Sequence, residues 1–103
     1  MYILTIAYGN PADSAAFDSY YADTHLEIAG KIPHVQTFAY GKCESLAGQE
    51  PSAYSQAVLT FADRASADDA LGSTEGRAAA EDFTNFASGG VTLTLTQVEI
   101  ATS

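Results

Sequence analysis

The chain has 103 residues, 47% of them hydrophobic, with 13 Asp and Glu against 4 Lys and Arg and a formal charge of −9. That length fits one domain around a single core, and such an excess of negative charge repels phosphate backbones and anionic lipid, which argues against nucleic acid or a membrane surface as a partner. The single cysteine, Cys43, excludes an intrachain disulfide and a CxxC redox or zinc pair, in keeping with a reducing cytoplasm.

Tyr2–Tyr8 alternates a larger set (Tyr2, Leu4, Ile6, Tyr8) with a smaller one (Ile3, Thr5, Ala7), the two-residue period of a strand. The opening MYILTIAYGN has no basic leader and too short an apolar run to span a bilayer, so a soluble cytoplasmic protein is expected. Gly9-Asn10-Pro11 stops the strand, and a helix is predicted from there, with Asn10 as N-cap, Pro11 at the first helical position and Asp13 at the positive end of the dipole. Phe17, Tyr21, Thr24 and Ile28 recur at helical spacing with Tyr20 and His25 beside them, and Pro33 ends the helix by Ile32.

Val35–Lys42 and Tyr54–Phe61 are β-branched and aromatic runs, separated by the turn-rich segment Cys43–Ser52. Asp63–Leu71 is predicted as a short helix, with a second one restarting at a Ser73 or Thr74 cap and reaching about Phe86. Ser88-Gly89-Gly90 ends it, and Val91–Ile100 closes the chain as a strand. The order β-α-β-β-α-β is that of the ferredoxin-like split βαβ motif, an α+β fold with a four-stranded antiparallel sheet covered by helices on one face. A bare second face needs a cover, and a second copy packed sheet to sheet would make a homodimeric α+β barrel. Thr5, Thr60 and the threonines of the last strand are expected on that face, with Leu4, Ile6, Leu93 and Leu95 toward the helices.

His25 is the strongest candidate for chemistry, because a histidine at the edge of an aromatic face can move protons in an apolar pocket. Tyr20 and Tyr21 are about 100° apart on a helix, so one packs and the other can point its hydroxyl into a cavity. With a regular helix Tyr21 shares the side of Phe17 and His25; with a kink near His25, Tyr20 does. Asp23, His25 and Glu27 do not converge on a helix, so no metal is expected. His34 is placed to cap the helix's carbonyl end. Tyr8, Tyr40 and Tyr54 lie at strand ends, where a phenol either lines a pocket mouth or covers the core. Arg64 and Arg77, among acidic neighbours, read as solvated ion pairs, and Cys43 is assigned no role.

Three patterns in order, F-D-x-Y-Y-x-x-T-H over Phe17–His25, Ile28-Ala29-x-Lys31-Ile32-Pro33, and Ser73-Thr74-Glu75-Gly76 followed by Asp82, Asn85, Phe86 and Gly89-Gly90-Val91, resemble the EthD family of the dimeric α+β-barrel group. Two departures stand out: Glu27 where the family often has Pro, and His34 where it often has Gly. The resemblance covers most of residues 1–103 and implies one EthD-like domain, a homodimer and a link to catabolism of ethers and other small organic compounds, under reductase names without an established reaction. It leaves three readings open. One is an enzyme, oxidoreductase, isomerase or monooxygenase in type, running proton-transfer or cofactor-free chemistry on a small hydrophobic metabolite, with His25 as acid or base and Tyr20, Tyr21, Tyr8, Phe17 and Ile28 around the substrate. The second is a non-catalytic module that delivers the metabolite to a partner oxygenase. In the third, His25 binds haem, as in some relatives of the barrel. No cofactor is expected in the first two.

Overall fold

The computed structural model describes all 103 residues. Four strands, β1 (Tyr2–Tyr8), β2 (Thr37–Lys42), β3 (Ser55–Phe61) and β4 (Val91–Gln97), form one sheet in the order β2-β3-β1-β4, with every neighbouring pair antiparallel. The helices lie on one face, as the ferredoxin-like fold requires. Along β1 the burial alternates, with Leu4, Ile6 and Tyr8 buried against the helices and Ile3, Thr5 and Ala7 only half-buried on the other side. Because the side-chain period is two, the pairing carries that division across the sheet. Thr5 sits opposite both Val58 and Thr94, and Ile3 opposite Thr60 and Thr96, so the helix-free face is the threonine-rich one.

The first helical stretch departs from expectation in three ways. It starts later: the N-cap is Asp13, whose carboxylate accepts from the Ala16 N–H, and α1 spans Ser14–Tyr20. Asn10 and Pro11 instead belong to a turn, where Ala12 N–H bonds the Ser88 hydroxyl and Gly9 N–H bonds the Gly90 carbonyl. Gly9 and Gly89 pass so close that a Cβ on either would strike the other's backbone, which explains glycine at both.

The stretch is also not one regular helix. Tyr21–His25 forms a π turn, in which Leu26 N–H reaches back to the Tyr21 carbonyl, before α2 (Leu26–Ala29). The third difference is a result of that turn. The buried series is Phe17, Tyr21, His25 and Ala29, while Thr24 and Ile28, expected on the stripe, are half-buried. In a regular helix a repeat of four drifts about 40° per step, which would swing Ala29 well away from Phe17. The extra residue in the π turn rotates the next helical segment back by about 100° and returns the series to the sheet side.

Backbone groups close the end of α2: Gly30, Lys31 and Ile32 N–H bond the carbonyls of Leu26, Ile28 and Ala29. His34 therefore does not cap it. It is exposed and holds φ at 66°, in the left-handed region where glycine fits best, at the position where the family pattern often has that residue.

Two further helices cover the rest of the sheet, α3 (Arg64–Gly72) capped by Asp63 and α4 (Thr74–Asp82) capped by Ser73, followed by a 3-10 turn at Phe83–Asn85. Of the two caps, Ser73 is one of the two offered by the sequence, whereas Asp63, expected as the first helical residue, lies just before α3 and caps it. Arg64 forms the exposed i,i+4 pair with Asp68. Strands β2 and β4 are shorter than predicted at their outer ends, since Val35 and Gln36 precede the first ladder and Val98–Ile100 run past the last.

Candidate functional site

The core between helices and sheet has two unlike ends. At one end the rings of Phe17, Tyr21, Tyr8 and Phe86 pack within 5.2–5.9 Å of one another, and Tyr54 meets Phe17 edge-on at 5.2 Å. At the other, the helices contribute small residues, Ala29, Gly76, Ala79 and Ala80, opposite Leu4, Ile6, Leu59 and Leu93 of the sheet. They leave a cavity of about 40 Å³ between them. Gly76 is needed where α4 crosses the end of α3, because a Cβ there would meet the Ala70 and Leu71 backbone. Leu93, about half-exposed, stands at the rim.

His25 lines this cavity at the border of the two ends, almost wholly buried, with its ring 4.6 Å from that of Phe86 and 5.5 Å from that of Phe83. Its Nδ1 lies 2.8 Å from Asp82 Oδ2. The other carboxylate oxygen accepts from the Tyr20 hydroxyl at 2.6 Å and from Asn85 Nδ2 at 2.9 Å. Burial pushes the Asp82 carboxyl up, but the three hydrogen bonds and the His25 ring outweigh it and hold it below the ordinary range. Burial lowers the His25 pKa, and the bond to Asp82 and its charge only partly restore it. The pair is therefore a neutral imidazole beside an ionised carboxylate. An ionised carboxylate can only accept, so Nδ1 carries the proton and Nε2 keeps its lone pair.

The structure places the sequence-derived candidates differently. His25 and Tyr8 line the cavity. Tyr20 reaches it through Asp82, and burial is secondary to that bond in raising its pKa. Tyr21 stands behind Tyr8, its ring 5.7 Å from that of Tyr8 and 5.4 Å from that of His25. Phe17 belongs to the filled aromatic end, and Ile28 packs against the core without reaching the cavity. Both tyrosines neighbour His25, one directly and one through a carboxylate, but neither lines the cavity, contrary to the expectation that one of them would. Tyr40 is exposed on a separate, more open cleft of about 210 Å³ with Tyr21 and Lys42, whose ammonium pairs with Asp18 while Tyr54 bonds the same carboxylate. That cleft is larger, but the histidine does not open onto it.

Asp82 had no role assigned from sequence. It lies 57 residues from His25; its signals were its place in the third pattern and its position three residues after Ala79 and four before Phe86, on the apolar side of a helix.

A βαββαβ sheet with helices on one face, and a buried His–Asp pair over a small apolar cavity, define a ferredoxin-like α+β domain. The EthD domain model matches residues 10–90, and the chain belongs to the EthD domain family. It is 52% identical over 99 residues, 96% of either chain, to an uncharacterized 11.0 kDa protein of the thcB-thcC intergenic region of Rhodococcus erythropolis. Among solved structures it resembles an ethyl tert-butyl ether D (EthD) family protein from Bacillus halodurans, at TM-score 0.89 and 27% identity, covering 96% of this chain and 99% of that one. It shares the fold of a dimeric ferredoxin-like protein of unknown function from Jannaschia, at TM-score 0.71 and 15% identity, covering 95% of this chain and all (100%) of that one. No helix is long and apolar enough to cross a membrane.

Proposed function

We propose that this EthD-domain protein is a cytoplasmic homodimer that takes a small apolar metabolite into the cavity between helices and sheet and moves a proton on it with His25. The observation that carries this reading is the tie from His25 Nδ1 to a buried, ionised Asp82, which leaves Nε2 free as a base on one of the few polar residues lining an otherwise apolar cavity. A base whose second nitrogen is held by a carboxylate is fixed in tautomer and orientation, and a pKa below the ordinary histidine range keeps it unprotonated at neutral pH. Tyr20 and Asn85, by saturating the other carboxylate oxygen, keep Asp82 from turning away.

Dimerisation rests on the helix-free face, where Ile3, Ala7 and Val58 lie half-covered among threonines, and on the dimeric state of the relative from Jannaschia. Light scattering should give twice 10.8 kDa. Thr94→Lys, which would bury a charge between the sheets, should shift the protein toward monomer.

Xenon tests the cavity without knowledge of the ligand. Under xenon pressure the methyl resonances of Leu4, Ile6 and Leu93 should shift, and Ala79→Leu should abolish those shifts; an unresponsive wild-type protein would show that no apolar guest enters here.

A further inference from the structure

The cavity's lining is almost without polar side chains. Of its 14 residues only Tyr8 and His25 carry a titratable group. Leu4, Ile6, Leu59 and Leu93 of the sheet and the alanines of the helices give nothing that could bond a polar substrate, so any heteroatom of a guest must find one of these two groups or remain unsatisfied. The two are close neighbours, since Tyr8 and His25 both pack against Tyr21, Phe83 and Phe86.

Their protonation states are complementary. Burial, reinforced by the Tyr21 phenol and the Asp82 carboxylate, raises the Tyr8 pKa far beyond the ordinary phenol value, so its hydroxyl keeps its proton at any physiological pH. The phenols of Tyr8 and Tyr21 influence each other without reaching the geometry of a formed hydrogen bond. The Tyr21 hydroxyl is buried with no partner, and burial pushes its pKa up to about 12. A buried hydroxyl without a partner is uncommon and costs free energy, so Tyr21 is the strained member of the polar group behind the cavity wall.

We propose, building on the reading of His25 as a base, that Tyr8 is the hydrogen-bond donor to a substrate oxygen and that the substrate class is small enolisable carbonyl compounds. His25 Nε2 takes the proton from the carbon next to the carbonyl. As that C–H bond breaks, its electron pair becomes the new carbon–carbon π bond, and the carbonyl π pair moves onto oxygen, where the Tyr8 O–H stabilises it. The proton returns from Nε2 to the same carbon or, in a conjugated substrate, to the far end of the π system. No oxidant or reductant enters. A protonated phenol and a neutral imidazole lining one apolar cavity supply the donor and the base that such proton transfers need. Tyr21 acts through Tyr8 and is a positioning residue. Size narrows the class further, because about 40 Å³ holds roughly three waters, or a guest of a few non-hydrogen atoms.

The test monitors α-proton exchange of acetone and of propanal in D2O by proton NMR, with purified full-length protein. Wild type should accelerate exchange above buffer. His25→Ala should return it to buffer level. Tyr8→Phe, which keeps the ring and its aromatic contacts, should lose about a hundredfold in kcat with KM little changed and the His25 inflection of the pH profile retained. A thermal melt of each variant checks that it folds. Tyr8→Phe at the wild-type rate, or no acceleration of either compound by wild type, overturns the inference. The reading of His25 as a base stands or falls separately, on xenon uptake and on the charge of the imidazole.

Discussion

The two ends of the helix–sheet layer are made from the same materials in opposite ways. Near Tyr8 the first helical stretch brings bulk, with Phe17 and Tyr21 stacked at 5.9 Å and Phe86 tilted against Phe17 and edge-on to Tyr21. Near Leu93, α4 brings Gly76, Ala79 and Ala80, and the space opposite Leu4 and Ile6 stays open. The difference shows how so small a domain reconciles stability with a pocket: aromatic area at one end holds the layers together, and small residues at the other leave room. His25 sits on the border, with its ring packed against Phe86 and Phe83 at one end and lining the cavity at the other.

The largest expected effect lies at the packed end. Phe17→Ala removes the ring that touches Tyr8, Tyr21, Tyr54 and Phe86, and should cost about 3–5 kcal/mol in urea unfolding. A loss under about 1 kcal/mol would mean that this end is not the anchor.

A smaller contrast sharpens the comparison. Ala57 and Ala79 are both buried alanines, but only Ala79 borders the cavity. Ala57→Val should cost about 1–3 kcal/mol by overpacking, whereas Ala79→Val has space to fill and should change stability by less than about 1 kcal/mol. Equal costs at the two positions would contradict a hollow end.

The third effect is a slope with pH. His25 has a folded pKa below its ordinary value of 6.5, so between the two values the unfolded chain binds more protons and stability falls as pH drops. Asp82, also lowered, adds to the fall in the same direction at more acid pH, below its ordinary 3.8. Urea midpoints should therefore decline from pH 7 toward pH 5, and His25→Gln should flatten that part of the curve.

Much of the fold was readable because local rules and the tertiary structure agree. Alternation in β1 and β4, the cap at Ser73 and the turn at Ser88-Gly89-Gly90 each state their element within a few residues. The site was readable only in part. His25 and Tyr8 stand out as polar groups on apolar stripes. The π turn does not, because a single extra residue in a helix leaves composition unchanged and shows only as burial at Phe17, Tyr21, His25 and Ala29 where Thr24 and Ile28 were expected. Asp82 becomes meaningful only when the packing of α2 against α4 brings it to His25. The helix start slipped from Asn10 to Asp13 because Asn10 is held by the turn against Gly89, a long-range contact that cap preferences do not contain.

The most direct test of the central claim is the protonation state of His25, read from its ring nitrogens by long-range proton–nitrogen correlation NMR across pH 4–8. A neutral Nδ1–H tautomer at pH 7, titrating below the ordinary 6.5 and losing its tautomer preference in Asp82→Asn, is the expected result. A positively charged His25 at pH 7, or an Nε2–H tautomer, would leave no free base facing the cavity and would contradict the account.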